Sequence, residues 1–353
     1  MIKLKKLPVR GYEQVVVGKD AATGLHAICS VHSTVLGPSL GGVRMWPYKK
    51  EKDALEDVLR LSRAMTHKAC ISNLKLGGGK TVIVGNPAKH KTRDLLLAVG
   101  DLVESLGGAY IAAEDSGISS RDLDVIGERT LHLTGMSPEK GGSGDPALAT
   151  APGVFFGIKA AVKTAFGQNS VKGMTIAIQG VGQVGGKLAR LLAKDGARLV
   201  IGDIDRERCK SIAAETGARI ARADEIHKVG ADLYAPCALS FALNAKTIPE
   251  IRAKVVAGGA NNQFRDEKTD PVALHKRGIL HAPDYVINAG GLIRLYVLEL
   301  INEKDEKPWL EKIGRTLEKI WARAKREKCP PLFVAHAIVR EKLAAAKAKK
   351  KKR

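Results

Sequence analysis

The stretch MTIAIQGVGQVGGKLARLLAKDGARLVIGDID, Met174–Asp205, carries the most information about the fold. TIAIQ is a short apolar run that reads as a strand, QVGGKLARLLAKDG has the apolar spacing of a helix closed by glycine, and ARLVIGDID reads as a second strand. Between the first strand and the helix lies GVGQVG, which places Gly180, Gly182 and Gly185 at GxGxxG spacing with Gln183 and Val184 between the last two. Alone that spacing is weak. In a strand–turn–helix context it predicts a dinucleotide site, because the glycines let the backbone approach a pyrophosphate at the helix N-terminus. Asp203 closes the following strand, where a carboxylate accepts hydrogen bonds from ribose hydroxyls and repels a 2′-phosphate, so the expected cofactor is NAD. Arg206 and Arg208 stand close by and soften that preference.

Downstream, DLYAPC, KVVAGGA and ILHAPDYVIN read as further strands separated by helical stretches, which predicts a doubly wound parallel sheet of Rossmann type. Upstream of a glycine-rich connection, KGGSGDPALATAPG, the texture is different. EQVVVGKD, LHAICSVHSTVL, KTVIVGNP and AYIAAED read as strands, Asp53 to Met65 and DLLLAVGDLVESLG as helices, and SSRDLDVIGERT as a helix opened by a serine cap. The expected organisation is an N-terminal α/β substrate and oligomerisation domain over residues 1–140, rejoined by C-terminal helices over 328–346. A dinucleotide-binding domain is expected over 141–327 and a basic tail over 347–353.

The chain has 353 residues, 44% of them hydrophobic, enough for two cores. No apolar run is long enough to span a bilayer, and the charged start MIKLKKLPVR lacks the core of a signal peptide, so a cytoplasmic protein with no membrane partner is expected. The five cysteines are scattered and form no CxxC pair, which predicts neither a disulfide framework nor a metal site. The formal charge of +21 raises the question of polyanion partners, but the tail KAKKKKR holds a concentrated share of it and reads as a solvated helix extension. Nucleic acid is not the expected partner.

A second segment, LKLGGGKTVIVGNP (Leu74–Pro87), sets three glycines before Lys80. A P-loop requires glycine where Leu74 stands, so that motif fails. A tight turn with a solvated lysine is one reading of this segment alone. The other starts from Lys68: two lysines facing one pocket each disfavour the other's charge, and burial adds to this, so one becomes a base near neutral pH while the other holds an anion. Asp115 follows the strand AYIAAED, a frequent place for an active-site carboxylate and equally a place for a helix N-cap.

Together GPSLGGVRMW, MTHKACISNLKLGGGKTVIVGNP, AAEDSGIS, GVGQVG, DLYAPCA, GGANNQ and APDYVINAGG resemble the glutamate, leucine, phenylalanine and valine dehydrogenases, most of all the leucine branch. The resemblance implies reversible, NAD-dependent oxidative deamination of an L-amino acid to a 2-oxo acid and ammonium, in a cleft between two domains of a homo-oligomer, commonly a dimer or octamer. By the same resemblance Lys68 binds the substrate carboxylate, Lys80 activates the water that attacks the imine, and Asp115 exchanges protons at the amino group. Thr150, Cys237, Ala238 and Asn261 belong to the cofactor site, and Gly41 and Asn262 to the substrate site.

Glutamate-specific members carry a cation at the position of Leu40. With Leu40, Ala113, Leu292 and Leu295, the implied side-chain pocket is aliphatic, which favours leucine, isoleucine or valine over glutamate and a phenylalanine ring. His67, Asp145 and Arg294 depart from the branch pattern, and Arg294 offers a cation to an acidic side chain. The pattern GPSLG also matches a hydrolase elbow at Ser39, but such an elbow must lead into a helix and GGVRMWPY does not.

Overall fold

A computed structural model describes residues 2–238 and 241–351. The chain divides into two compact units, residues 1–144 with 295–304 and 339–353, and residues 145–294 with 305–338.

The first unit is built on strands β1 (Lys3–Lys6), β2 (Gln14–Asp20), β3 (Leu25–Ser33), β4 (Ser39–Trp46), β5 (Gly77–Val84) and β6 (Tyr110–Glu114). Its helices are α1 (Glu51–Ile71), α2 (Pro87–His90), α3 (Arg93–Glu104) and α4 (Ser120–Ile126). The strands form one sheet in the order β1-β2-β3-β5-β4-β6, antiparallel as far as the β3–β5 pair and parallel from β5 to β6. Alternation along the strands gives the sheet two apolar faces. Val43, Met45, Ala112 and Ile83 pack with Leu95, Val99 and Leu102 of α3, whereas Ile28 and Val82 pack with Ala54 and Val58 of α1. The three glycines before Lys80 are strand residues of β5 rather than a turn. Their missing side chains admit close neighbours, and a Cβ on Gly78 would lie 2.0 Å from the Thr66 backbone nitrogen of α1.

The second unit holds α5 (Ala147–Phe166), β7 (Thr175–Gln179), α6 (Gln183–Lys194), β8 (Arg198–Gly202), α7 (Arg206–Thr216), β9 (Arg219–Ile220), β10 (Leu233–Pro236) and β11 (Val255–Val256). It continues through α8 (Asp270–Lys276), β12 (Leu280–His281), α9 (Asp284–Ile287), α10 (Gly290–Arg294) and α11 (Lys307–Glu327), and α12 (Pro331–Lys351) begins in this unit and from residue 339 belongs to the first. All its strand pairs are parallel, in the order β12-β11-β10-β7-β8-β9, so the topology reverses between β7 and β10.

Three expectations change here. The connection KGGSGDPALATAPG ends inside α5, which starts at Ala147 and carries Pro152 within it, so the Leu148 carbonyl lacks its i+4 N–H donor. ILHAPDYVIN is a two-residue strand followed by helix α9, because Pro283 and Asp284 open a helical turn. The helix expected to stop at Met65 runs on to Ile71, which makes Lys68 helical. Of the basic tail, residues through Lys351 continue α12, and Lys352 and Arg353 lie outside the described residues.

Candidate active site

Lys80 lies on β5 and Asp115 directly after β6, and β4 runs between these two strands in parallel register. Gly42 pairs with Ala113 and Val43 with Glu114, which brings Asp115 level with Arg44. Since Val43 and Met45 face α3, Gly42 and Arg44 face the α1 side, as do Lys80 and Asp115. Lys80 Nζ donates to Asp115 Oδ2 at 2.5 Å, and Arg44 Nε donates to the same oxygen at 2.9 Å. Gly42 lies under the pair: a Cβ there would fall 2.7 Å from Asp115 Cβ and 2.9 Å from Lys80 Nζ.

Lys80 is only 6% exposed. Burial lowers its affinity for a proton below that of an ordinary lysine, and the Arg44 charge adds to the effect, against the opposing pull of Asp115. Burial alone would raise the Asp115 carboxyl, but the Lys80 ammonium and Arg44 guanidinium hold it well below the usual carboxylate range. Asp115 does not cap α4: Ser119 is the N-cap, in a reciprocal capping box with Asp122. Leu40 and Ala113 lie on neighbouring strands, 1% and 3% exposed, and the Gly41 carbonyl accepts from the Tyr110 hydroxyl at 2.6 Å. Lys68 is half-buried in the last turn of α1.

Leu295 is also buried in this unit and opens a π-helical turn, Leu295–Leu300, against Gly135. Glu299 of that turn accepts from Thr134 Oγ1, Gly135 N, Ser143 N and Ser143 Oγ, tying the 134–143 loop to it. π-Turns often occur at functional sites.

In the second unit the GxGxxG segment leads from β7 into α6. Gly180 has φ +87°, and a Cβ on Gly185 would lie 1.9 Å from the Gly180 carbonyl oxygen, so neither position admits a side chain without rearrangement. Gly182 is the N-cap of α6 and supplies no side-chain acceptor, which leaves the first N–H groups of this helix, Gln183 and Val184 included, for an outside partner. Asp203 is 8% exposed on its side chain and accepts from Val181 N at 2.8 Å and Asp205 N at 3.0 Å. It therefore braces the glycine loop. Arg208 Nη1 lies 3.6 Å from it.

Around the loop, Ala238 packs against Gly180, and Cys237 Sγ accepts from Gly259 N at 3.4 Å. Burial pushes the Cys237 thiol up to about 11, so it stays protonated at neutral pH. Asn261 Oδ1 accepts from Asn288 Nδ2 at 2.8 Å, and Asn262 takes a left-handed φ of +49°. Thr150 Oγ1 donates to Pro146 O within the start of α5, and Leu292 is buried on α10. Arg294 is ion-paired with Glu306, both side chains mostly buried. Its charge is thus already matched inside this unit, which removes the sequence argument for an acidic substrate.

The uncapped helix start, the side-chain-free loop and the recessed carboxylate fit a dinucleotide pyrophosphate and ribose. Family comparisons agree. Residues 13–132 match the Glu/Leu/Phe/Val dehydrogenase dimerisation domain, and residues 141–206 and 203–350 match the glutamate/leucine/phenylalanine/valine dehydrogenase domain. The chain belongs to the glutamate/leucine/phenylalanine/valine dehydrogenase family. Its relatives in that family include leucine dehydrogenase of Geobacillus stearothermophilus, 44% identical over 96% of this chain and 92% of the relative. Valine dehydrogenase of Streptomyces albus is 42% identical over 96% of this chain and 94% of its own. The crystal structure of L-tryptophan dehydrogenase from Nostoc punctiforme superposes with a TM-score of 0.84 at 38% identity, covering 96% of this chain and 97% of that one. Like these dehydrogenases, the chain is an amino-acid dehydrogenase whose reaction is oxidative deamination.

Sequence reading passed over Arg44, Tyr48, Asp57 and Ile204. The first lies inside a quoted motif, and strand alternation from Gly42 would have placed it on the site face. Ile204, beside Asp203, is an apolar side chain 91% exposed. Among the described residues no helix is long and apolar enough to cross a membrane, and no cluster of potential metal ligands occurs.

Proposed function

We propose that the chain catalyses NAD-dependent, reversible oxidative deamination of a branched-chain or small aliphatic L-amino acid to its 2-oxo acid and ammonium. The observation that carries this reading is the buried Lys80–Asp115 pair on the same sheet face as Leu40 and Ala113, a site that joins proton-transfer groups to an aliphatic surface. Lys68 holds the substrate carboxylate. Lys80, with its lowered proton affinity, takes a proton from the water that attacks the imine carbon, and Asp115 exchanges protons at the substrate nitrogen. Leu40, Ala113, Leu292 and Leu295 receive the side chain, with Gly41 and Asn262 beside it.

Gly180, Gly182, Gln183, Val184 and Gly185 hold the NAD pyrophosphate, Asp203 the ribose, and Thr150, Cys237, Ala238 and Asn261 the remainder of the dinucleotide. Bound NAD supplies the hydride acceptor for the substrate α-hydrogen. Residues 1–140, with the helices of 328–346, serve as the substrate and oligomerisation domain of a cytoplasmic homo-oligomer, a dimer or octamer, and residues 141–327 as the cofactor domain. The dimerisation-domain match over 13–132 supports self-association.

The test is initial-rate NADH formation at alkaline pH with L-leucine, L-valine, L-isoleucine, L-phenylalanine, L-tryptophan and L-glutamate, using NAD and NADP in parallel and Lys80→Ala as control. Aliphatic preference with NAD, lost in Lys80→Ala while NAD binding persists, is expected. Preference for an aromatic substrate or glutamate overturns the pocket assignment.

A further inference from the structure

Arg44 belongs to none of the roles assigned above, yet it joins two carboxylates. Its Nε donates to Asp115 Oδ2 at 2.9 Å and its Nη1 to Asp57 Oδ2 at 3.1 Å. Asp57 projects from α1 and also accepts from the Tyr48 hydroxyl at 2.7 Å and from Arg60 Nη2 at 2.7 Å. The guanidinium is therefore fixed in direction by Asp57 of helix α1 on one side and by Asp115, directly after β6, on the other, and the Arg44 side chain is three-quarters buried. We propose that Arg44 is a positioning residue for the Lys80–Asp115 pair: it orients the Asp115 carboxylate toward Lys80, keeps it ionised, and by its own charge drives Lys80 toward the neutral form needed to accept a proton. The proposal rests on the function assigned to that pair above.

The geometry makes the coupling direct. Arg44 and Lys80 bond the same carboxylate oxygen, so the two cations sit on either side of one anion. A cation that close disfavours the protonated lysine, whereas Asp57, behind Arg44, works in the opposite sense. Of the other charged or titratable groups on this side of the sheet, His32 on β3 is bonded to Thr66 Oγ1 and pushed down to about 4 by burial, so it is neutral. Burial and Asp57 raise the Tyr48 hydroxyl, which stays protonated. Arg60 lies at the rim on Asp57, and Lys68 is one helical turn or more along α1 from both. A bystander arginine predicts only a loss of stability when removed; a positioning arginine predicts a shift in where Lys80 titrates.

The test compares Arg44→Met, Arg44→Lys and Asp57→Asn in the full-length chain by two readouts. One is the pH profile of kcat/KM for L-leucine with NAD. The other is the pH dependence of Lys80 carbamylation by cyanate, read on its peptide by mass spectrometry, which requires no turnover. Arg44→Met is expected to move both the acidic limb and the Lys80 titration upward by about one pH unit. Arg44→Lys, which keeps the charge and loses the fork, restores the limb while kcat stays at least several-fold down. Asp57→Asn moves the Lys80 titration downward. Opposite shifts from two neighbouring substitutions do not arise from general loosening. An unshifted Lys80 titration in Arg44→Met, or the same direction of shift in Asp57→Asn, overturns the proposal. If Arg44→Met does not fold, the sign in Asp57→Asn and the retained limb in Arg44→Lys still decide it. A wild-type chain that oxidises no amino acid overturns the assigned function, and the cyanate titration then decides the role of Arg44 by itself.

Discussion

Adding one methyl group at Gly42 tests the site architecture more sharply than removing a charged side chain. In Gly42→Ala the new Cβ would lie 2.6 Å from the Glu114 carbonyl oxygen, 2.7 Å from Asp115 Cβ and 2.9 Å from Lys80 Nζ. Carbon atoms settle about 3.5–4.0 Å apart, so the neighbours must retreat by roughly 1 Å. β4 cannot absorb this, because it is paired with β5 on one edge and β6 on the other. Lys80 Nζ is the one freely movable neighbour, and the Glu114 carbonyl and Asp115 Cβ retreat only if the backbone at the end of β6 shifts, so relieving the strain displaces Asp115 and Lys80 from their working positions. A displacement of that size costs about 100-fold in rate, or about 2.7 kcal/mol of barrier, and overpacking costs about 1–3 kcal/mol of stability. The assay is initial-rate NADH formation with L-leucine, alongside thermal melting and NAD binding. Gly230→Ala, where nothing approaches within 4 Å, serves as the control and should behave as wild type. Gly42→Ala retaining more than about a third of wild-type kcat/KM would refute the claim that this glycine makes room for the pair.

Two further outcomes follow from the same geometry. Asp203→Ser should weaken NAD binding at least tenfold and narrow the NAD/NADP ratio, because Val181 N and Asp205 N lose their acceptor while Arg208 loses an opposing charge; equilibrium binding of both dinucleotides checks this, and an unchanged ratio contradicts the ribose assignment. The Asp115 carboxyl is held below its ordinary value of 3.8, so its ionised form stabilises the fold above that pH, and the contribution is lost as pH falls through 3.8 toward the folded value. Chemical denaturation between pH 5 and pH 2 should therefore show a shallower pH slope for Asp115→Asn than for wild type, and parallel curves would contradict it.

The cofactor half of this molecule was legible in linear order because every part of a dinucleotide loop is local. Strand, glycines, helix start and the acidic residue of the next strand follow one another within Met174–Asp205, and each has a periodicity or a residue type that announces it. The family motifs likewise pointed to Lys80 and Asp115. Short-range signals failed where tertiary packing overrode them: GGGK, for which a turn was one reading, is a strand, since other segments of the chain press on each glycine and a side chain would not fit. DYVIN reads as a strand and is helical, since Pro283 and Asp284 start a turn before its β-branched residues can pair.

What only the tertiary structure decided is which charges meet. Arg44, Asp57, Lys80 and Asp115 come from two strands, a helix and a strand end, and nothing in their sequence spacing shows that a single carboxylate oxygen serves both cations. Likewise the pairing of Arg294 with Glu306 shows that a cation the sequence offers to an acidic side chain already has a carboxylate partner. By itself the sequence determined the class of chemistry, because backbone conformation and residue type are local properties. The proton affinities on which that chemistry depends were decided by the fold, because burial and charge–charge distance exist only once distant segments pack together.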